Sequence, residues 1–332
     1  MKLSWFKWVN LVTLFVVAVI ALNVGASEIT QIWQILFHPN ATGNDAIIIW
    51  QIRIPRIATA IIVGAALGAA GAIAQGATGN PLSEPTTLGT AAGASLAVVL
   101  GVLLNLVAIG STGAMALATI GALLITLLVL RLASRNRKVT PLDLIIIGLA
   151  LAATISALVG LLTSAITRAD ARSVSFWSLG SLALTNRNDI FPLLLAVSIG
   201  LTIAFWISPK LDLLSLGDAT SRHLGVDPKA TRRFSLFALS LLTGAAVSTV
   251  GTISFLGLAA PHIVRLRIGP RHRPLVIQSA ILGATILLSA DTLARTIAAP
   301  NELAVGLFTA LIGAPILVAL VRVRRVTEFT DD

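Results

Sequence analysis

The chain has 332 residues, of which 56% are hydrophobic and 11% charged. Soluble domains carry about 25% charged residues, so most of this chain does not face water, and the absence of cysteine removes disulfides, thiolate chemistry and cysteine-ligated metal. The net charge of +10 admits a nucleic-acid partner only if the basic residues cluster on one face. They are instead spread over separate short segments between apolar runs, as in the loops of membrane proteins.

Ten apolar runs divide the chain, centred near residues 17, 66, 99, 122, 155, 199, 243, 260, 284 and 312. A spanning helix needs about 20 mainly apolar residues. The pattern predicts an all-α, polytopic membrane bundle of about ten transmembrane helices forming one transmembrane domain, residues 1–332. The run near 260 is interrupted by Pro261 and His262, so nine spans is the other count. Residues 1–25, with Lys2, Lys7, an apolar stretch and then "NVGAS", fit a signal peptide or a retained first helix. The nine runs that follow favour the retained helix.

In the second run Gly64, Gly68 and Gly71, and after it Gly89 and Gly93, have the small-xxx-small spacing that lets helices approach closely. Between them, Pro81 and Pro85 of "GNPLSEP" end a helix and put Glu84 in a cytoplasmic turn with a structural task. "GAALGAAG" (64–71) is echoed by "GAAVSTVG" (244–251). On alternating spans the two copies run in opposite directions, the arrangement of an inverted repeat.

The longest polar interruption is "SLGDATSRHLGVDPKATRR", Ser215–Arg233. Asp218 is placed to N-cap a short helix Ala219–Leu224 that Gly225 terminates. Asp227 then caps a second helix with Pro228 in its first position. Leu216, Leu224 and Val226 give the segment an apolar side, so it reads as a rigid docking knob rather than a solvated loop.

With the N-terminus in the cytoplasm, eighteen of the 24 Lys and Arg fall on cytoplasmic segments. Arg53, Arg56, Arg168, Arg172, Arg187 and Arg295 fall outside. This asymmetry predicts ten spans with both termini cytoplasmic. All six Trp lie near span ends, where an aromatic belt forms.

The runs lack the buried Asp, Glu or His that marks an ion-coupled pathway. Asp143 and Asp291 sit near run ends. No P-loop, H-E-x-x-H or G-x-S-x-G motif occurs. The chain is therefore expected to be neither an enzyme nor a stand-alone secondary carrier, the rival reading; uphill transport would need a partner's energy.

Six ordered blocks carry a resemblance: "IRIPR" (52–56), "GNPLSEPTTLGTAAGA" (79–94), "SLGDATSRHLGV" (215–226), "GTISFLGLAAPHIVRLRIG" (251–269), "LLSADTLAR" (287–295) and "NELAVGLFTALIGAP" (301–315). Over about residues 45–320 the chain resembles the permease subunits of ABC importers for iron–siderophores, haem and vitamin B12, the FecCD/BtuC type. The resemblance implies a type II importer permease fold in the bacterial cytoplasmic membrane and a second permease subunit, identical or paralogous. It also implies two separate ATPase subunits and an extracytoplasmic substrate-binding protein, with no cofactor, metal or catalytic residue in this chain. Leu216, Gly217, Ala219, Leu224 and Gly225 match the helices that couple to the ATPase. Arg53, Arg56 and Arg295 match positions that face acidic residues of the binding protein, a match that suits opposite-charge steering. A wide pathway for a hydrophilic chelate suits Thr154, Ser156, Thr163 and Ser164 in the fifth run, with Thr140 and Pro141 as a gate at its inner end. Gly79, where the family often has a basic residue, and Ala304, where it has proline, depart from the pattern. An iron chelate is the expected cargo, with haem or vitamin B12 as alternatives.

Overall fold

The computed structural model describes residues 2–25, 29, 32–38, 43–133, 141–164, 168–299 and 301–315. Among them every regular element is helical. The chain runs through α1 (Lys2–Asn23), α2 (Ile32–Phe37) and α3 (Asn44–Ile47), then a π-helical stretch Ile48–Arg53 that passes without a break into α4 (Ile54–Thr78). There follow α5 (Thr90–Leu103), α6 (Thr112–Ala133), α7 (Pro141–Ser164), α8 (Arg168–Ser178), α9 (Arg187–Leu214) and α10 (Asp218–His223). α11 (Pro228–Val250), α12 (Leu256–Ile268) and α13 (His272–Ile297) lead to α14 (Val305–Pro315).

Among the described residues, seven helices are long and apolar enough to cross a membrane: α1, the continuous rod from Asn44 through α4, and α6, α7, α9, α11 and α13. The runs near 99, 260 and 312 give the shorter α5, α12 and α14. α5 is short because the proline-containing stretch 79–89 replaces its first turns. Glu84 lies in that stretch, at a turn as the sequence reading has it, but is buried at 3% exposure. Its carboxylate accepts the Thr86 hydroxyl and the backbone N–H groups of Phe255 and Leu258, at the start of α12. Glu84 thus caps a helix from another segment, satisfying donors that a helix N-terminus otherwise leaves open.

α4 occupies the centre and packs on α13, α11, α9 and α12. Its glycines make this possible. A Cβ at Gly64 would lie 2.5 Å from the Gly283 carbonyl oxygen, one at Gly68 2.1 Å from that of Ser279, and one at Gly71 1.9 Å from that of Gly257. Only bare backbone fits there. Gly93 likewise meets Gly121 of α6, but Gly89 precedes α5 as its N-cap and belongs to no helix stripe. The echoed glycine in α11, Gly244, abuts Thr119 of α6 as Gly64 abuts Ala284 of α13. Exchanging the two sets of five spans turns α4 on α13 into α11 on α6, α5 on α6 into α12 on α13, and α5 on α11 into α12 on α4, and all these pairs are in contact. The outer helices α1 and α9 depart from the exchange: α1 packs chiefly on α13 and more lightly on α12 and α4, while α9 packs chiefly on α11 and α4 and also on α13. Trp5, Trp8, Trp33 and Trp206 are exposed, whereas Trp177 is fully buried, so one of the six is core rather than belt.

Long-range bonds define the two ends of the bundle. One end gathers Ala77, Asp212, Asp218, Arg232 and His272. The other gathers Ala21, Arg53, Arg56, Asp291, Arg295 and Glu302.

Candidate functional site

The polar segment 215–233 folds into a braced projection. α10 starts at Asp218 rather than at Ala219, with Gly217 at φ +95° in the N-cap position. Asp218 makes no capping bond, against expectation; its oxygens accept from Arg232 Nη2 and Nη1 at 2.7 and 2.9 Å. A guanidinium supplies two parallel donors, which a backbone N–H cannot match. These bonds hold the Asp218 carboxyl below its ordinary range. Gly225, at φ +79°, ends α10 as predicted, one residue past the C-cap. Asp227 caps α11 by accepting from the Lys229 N–H at 2.9 Å, with Pro228 at the first position.

The projection is seated by residues that no motif signals. Ser221 is fully buried, with its hydroxyl on the carbonyls of Gly217 and Leu213. Val226 is also buried, so it belongs to the seat and not to an outward apolar side. Arg232 Nε donates to the Ala77 carbonyl at the end of α4, 3.3 Å away. Asp212 on α9 accepts from both the backbone N–H and the ring Nδ1 of His272, at 2.8 and 2.6 Å, closing the start of α13. Two leucines stand outside, Leu216 at 58% and Leu224 at 54% exposure, beside exposed Gly217, Ala219 and Gly225 and among the exposed polar Asp218, Thr220, Arg222 and His223.

At the opposite end, Arg53, Arg56 and Arg295 are buried and engaged within the chain. Arg56 donates to Asp291 through Nε and Nη2 at 2.9–3.1 Å and to Glu302 through Nη1 at 2.8 and 2.9 Å. Arg295, one turn beyond Asp291, approaches the same carboxylate at 3.8 Å and bonds the Ala21 carbonyl. Arg53 donates to the Leu22 carbonyl at 2.7 Å. The two outer guanidiniums therefore cover the open carbonyls and negative dipole end of α1. Buried charges demand such partners. The partners lie 235 and 246 positions from Arg56, beyond any local reading.

Between the ends a hollow of about 550 Å³ opens, lined by α5, α7 and α8 and closed by Thr252. Ser156, Thr163 and Ser164 line it with Ser95, Ser175 and Ser178. Thr154 does not: two residues from Ser156 on a helix is about 200° of rotation, and its hydroxyl returns to the Ala150 carbonyl at 2.9 Å. Thr163 and Ser164 also bond their own helix, to Val159 and Leu161. Thr140 lies outside the described residues, and Pro141 is the first residue of α7.

A bundle with a braced projection at one end, a charged corner at the other and a hydroxyl-lined hollow between matches known transporters. The model of the FecCD transport family matches residues 11–323. The iron(3+)-hydroxamate import system permease protein FhuB of Bacillus subtilis is 38% identical over 93% of this chain and 80% of its own length. The hemin transport system permease protein HmuU of Yersinia pestis is 38% identical over 94% of this chain and 93% of its own. A solved metal-chelate type ABC transporter in an inward-facing conformation superposes with a TM-score of 0.81 at 30% identity, covering 95% of this chain and 98% of that one. Sequence and structure agree over nearly the whole length, and the chain belongs to the FecCD transport family.

Proposed function

We propose that this chain is one of two permease subunits, identical or paralogous, of a binding-protein-dependent ABC importer that carries an iron chelate across the bacterial cytoplasmic membrane. The observation that carries the reading is the α10 projection, a polar segment with two outward leucines, held by bonds to α4, α9 and α11. Exposed leucines on a rigid polar segment are what a groove in a partner would bury. The sequence has no P-loop, so on this reading the ATPase is a separate chain, and the projection is where it docks. Leu216, Gly217, Ala219, Leu224 and Gly225 form the contact, and α10 and both termini lie on the cytoplasmic side.

The Arg53, Arg56 and Arg295 corner then faces an extracytoplasmic binding protein, and the hollow beside Ser156, Thr163 and Ser164 is this subunit's share of the pathway. Closure of an ATPase pair on ATP draws two α10 projections together and reopens the pathway without any covalent chemistry in this chain. Relatives named for iron(3+)-hydroxamate import support an iron–siderophore chelate as the cargo, with haem, as the relative named for hemin suggests, or vitamin B12 handled by the same route as the alternative.

The test is co-purification with the cognate ATPase. The chain alone is expected to hydrolyse no ATP, and the assembled complex to hydrolyse it faster with the binding protein present. Leu224→Asp places a charge in the buried contact, a cost of several kcal/mol if it stays unpaired, and should abolish co-purification while the permease still reaches the membrane. Retention of the ATPase by this variant would overturn the assignment of α10.

A further inference from the structure

The arginine corner contains two carboxylates that are not equivalent. Asp291 is 1% exposed and accepts three bonds from Arg56. Glu302 is 38% exposed and takes Nη1 alone. Nη1 is thus the Arg56 donor whose partner carboxylate is itself exposed, and it is occupied from within the chain. Glu302 also stands three residues before α14. That helix begins at a backbone crossing with no slack: the Gly306 N–H donates to the Gly180 carbonyl at 3.0 Å, and a Cβ at Gly306 would lie 2.3 Å from the Leu179 oxygen and 2.7 Å from that of Thr252. Thr252 in turn donates to the Ser178 carbonyl at 2.7 Å, and Ser178 and Thr252 are both walls of the hollow.

We propose that Glu302 is a resident competitor, holding in the free permease the face of Arg56 that an acidic side chain of the docked binding protein takes over. This inference rests on the docking role proposed above for the corner. Exchange of carboxylates keeps Arg56 paired throughout, so docking never leaves a buried cation bare. It frees Glu302, and with it the lead into α14, at the crossing that borders the hollow. The exchange gives a physical connection between arrival of the binding protein and the wall of the pathway, and it lets an unoccupied permease stay closed at that crossing.

The experiment uses the permease assembled with its cognate ATPase in nanodiscs and the cognate binding protein purified without added chelate. Glu302→Gln removes the competing charge and keeps the side chain's size. Affinity for the binding protein at low salt should rise about five- to tenfold. ATP hydrolysis without binding protein should rise toward the stimulated rate. Both differences should shrink at 1 M salt, where the Debye length is about 3 Å. An affinity and a basal hydrolysis equal to those of the parent protein overturn the proposal, and so does weaker binding, which would make Glu302 part of the docking surface itself. Docking at this corner is read separately. The chain has no cysteine, so Asn301→Cys, at an exposed position, gives a single cross-linking site. A cross-link to the binding protein with no effect of Glu302→Gln removes the competitor and leaves the docking surface standing. Absence of a cross-link in both backgrounds removes both.

Discussion

Arg232 is the residue on which the orientation of α10 depends most directly. It joins three elements: α10 through Asp218, α4 through the Ala77 carbonyl, and α11, on which it sits. The pair with Asp218 is 38% and 46% exposed on its two sides. An exposed pair contributes roughly 0.2–1 kcal/mol. The bond from the charged Nε to Ala77, long at 3.3 Å, adds about 1 kcal/mol. Arg232→Ala therefore lowers the population of seated α10 by roughly five- to thirtyfold, for about 1–2 kcal/mol. The bundle itself should be untouched, since these bonds lie outside the apolar core. The assay is ATP hydrolysed per chelate imported by the reconstituted transporter, together with ATPase co-purification. Arg232→Lys keeps the charge without the two-pronged donor and should fall between. Arg233→Ala, at an exposed neighbouring position of equal charge, is the control. The Asp218 carboxyl is held low by Arg232, so its contribution is complete above the ordinary Asp range near about 4 and is lost only as pH falls through the lowered value. Co-purification should be flat from pH 8 to pH 5. The reasoning is refuted if Arg232→Ala couples as well as Arg233→Ala, or if co-purification already fades above pH 6.

Two glycines give predictions of opposite kind. Gly225→Val meets nothing within 4 Å of its Cβ, but it forces a β-branched residue to φ +79°. A cost of about 1–3 kcal/mol should fall on the elbow, so transport and stimulated hydrolysis should drop together while the amount of permease in the membrane stays normal. Gly251→Ala places its Cβ 1.8 Å from the Trp177 oxygen, where only backbone can yield. Membrane extracts of that variant should contain little folded protein by size-exclusion chromatography, and a normal monodisperse yield would show that the crossing has slack.

The sequence displays whatever depends on neighbours along the chain. The apolar runs, the Asp227–Pro228 start of α11, the Gly225 stop and the glycine face of α4 all follow from local spacing, and each stands where the residues put it. The six ordered blocks point to the family for the same reason, since each is a contiguous string. What the sequence conceals is pairing across distance. Asp218 has the form of an N-cap, yet a guanidinium fourteen positions on outcompetes the backbone. Arg53, Arg56 and Arg295 look like rim charges because Asp291 and Glu302, and the carbonyls of α1, are remote in sequence. Glu84 shows only its turn, because the helix it caps begins about 170 residues later. Thr154 and Ser156 share a composition but not a helix face.

The two charged ends meet in α4. Arg232 holds its last turn at Ala77, and Arg56, near its start, is held by Asp291 of α13. Between those points Gly64, Gly68 and Gly71 bring the backbone of α4 against the backbones of α13 and α12, with no room for even one added carbon. Packing of this kind does not bend progressively; it moves as a body or changes between discrete arrangements. A pull on α10 is therefore passed to α4, α12 and α13 together. The hollow is walled by other helices, α5, α7 and α8, with Thr252. α7 and α8 meet few of the central helices, and the Ser156, Thr163 and Ser164 side of α7 carries hydroxyls and open space in place of glycine contacts. On the proposed mechanism, movement of the rigid α4–α12–α13 body relative to the α7–α8 wall is what turns displacement at α10 into a change in pathway width. Measured by spin labels, distances from α4 to α13 should stay fixed through the ATP cycle while those from α4 to α7 change. An α4–α13 distance that varies as much as the α4–α7 distance would mean that the glycine contacts slide, and that the core is not the lever.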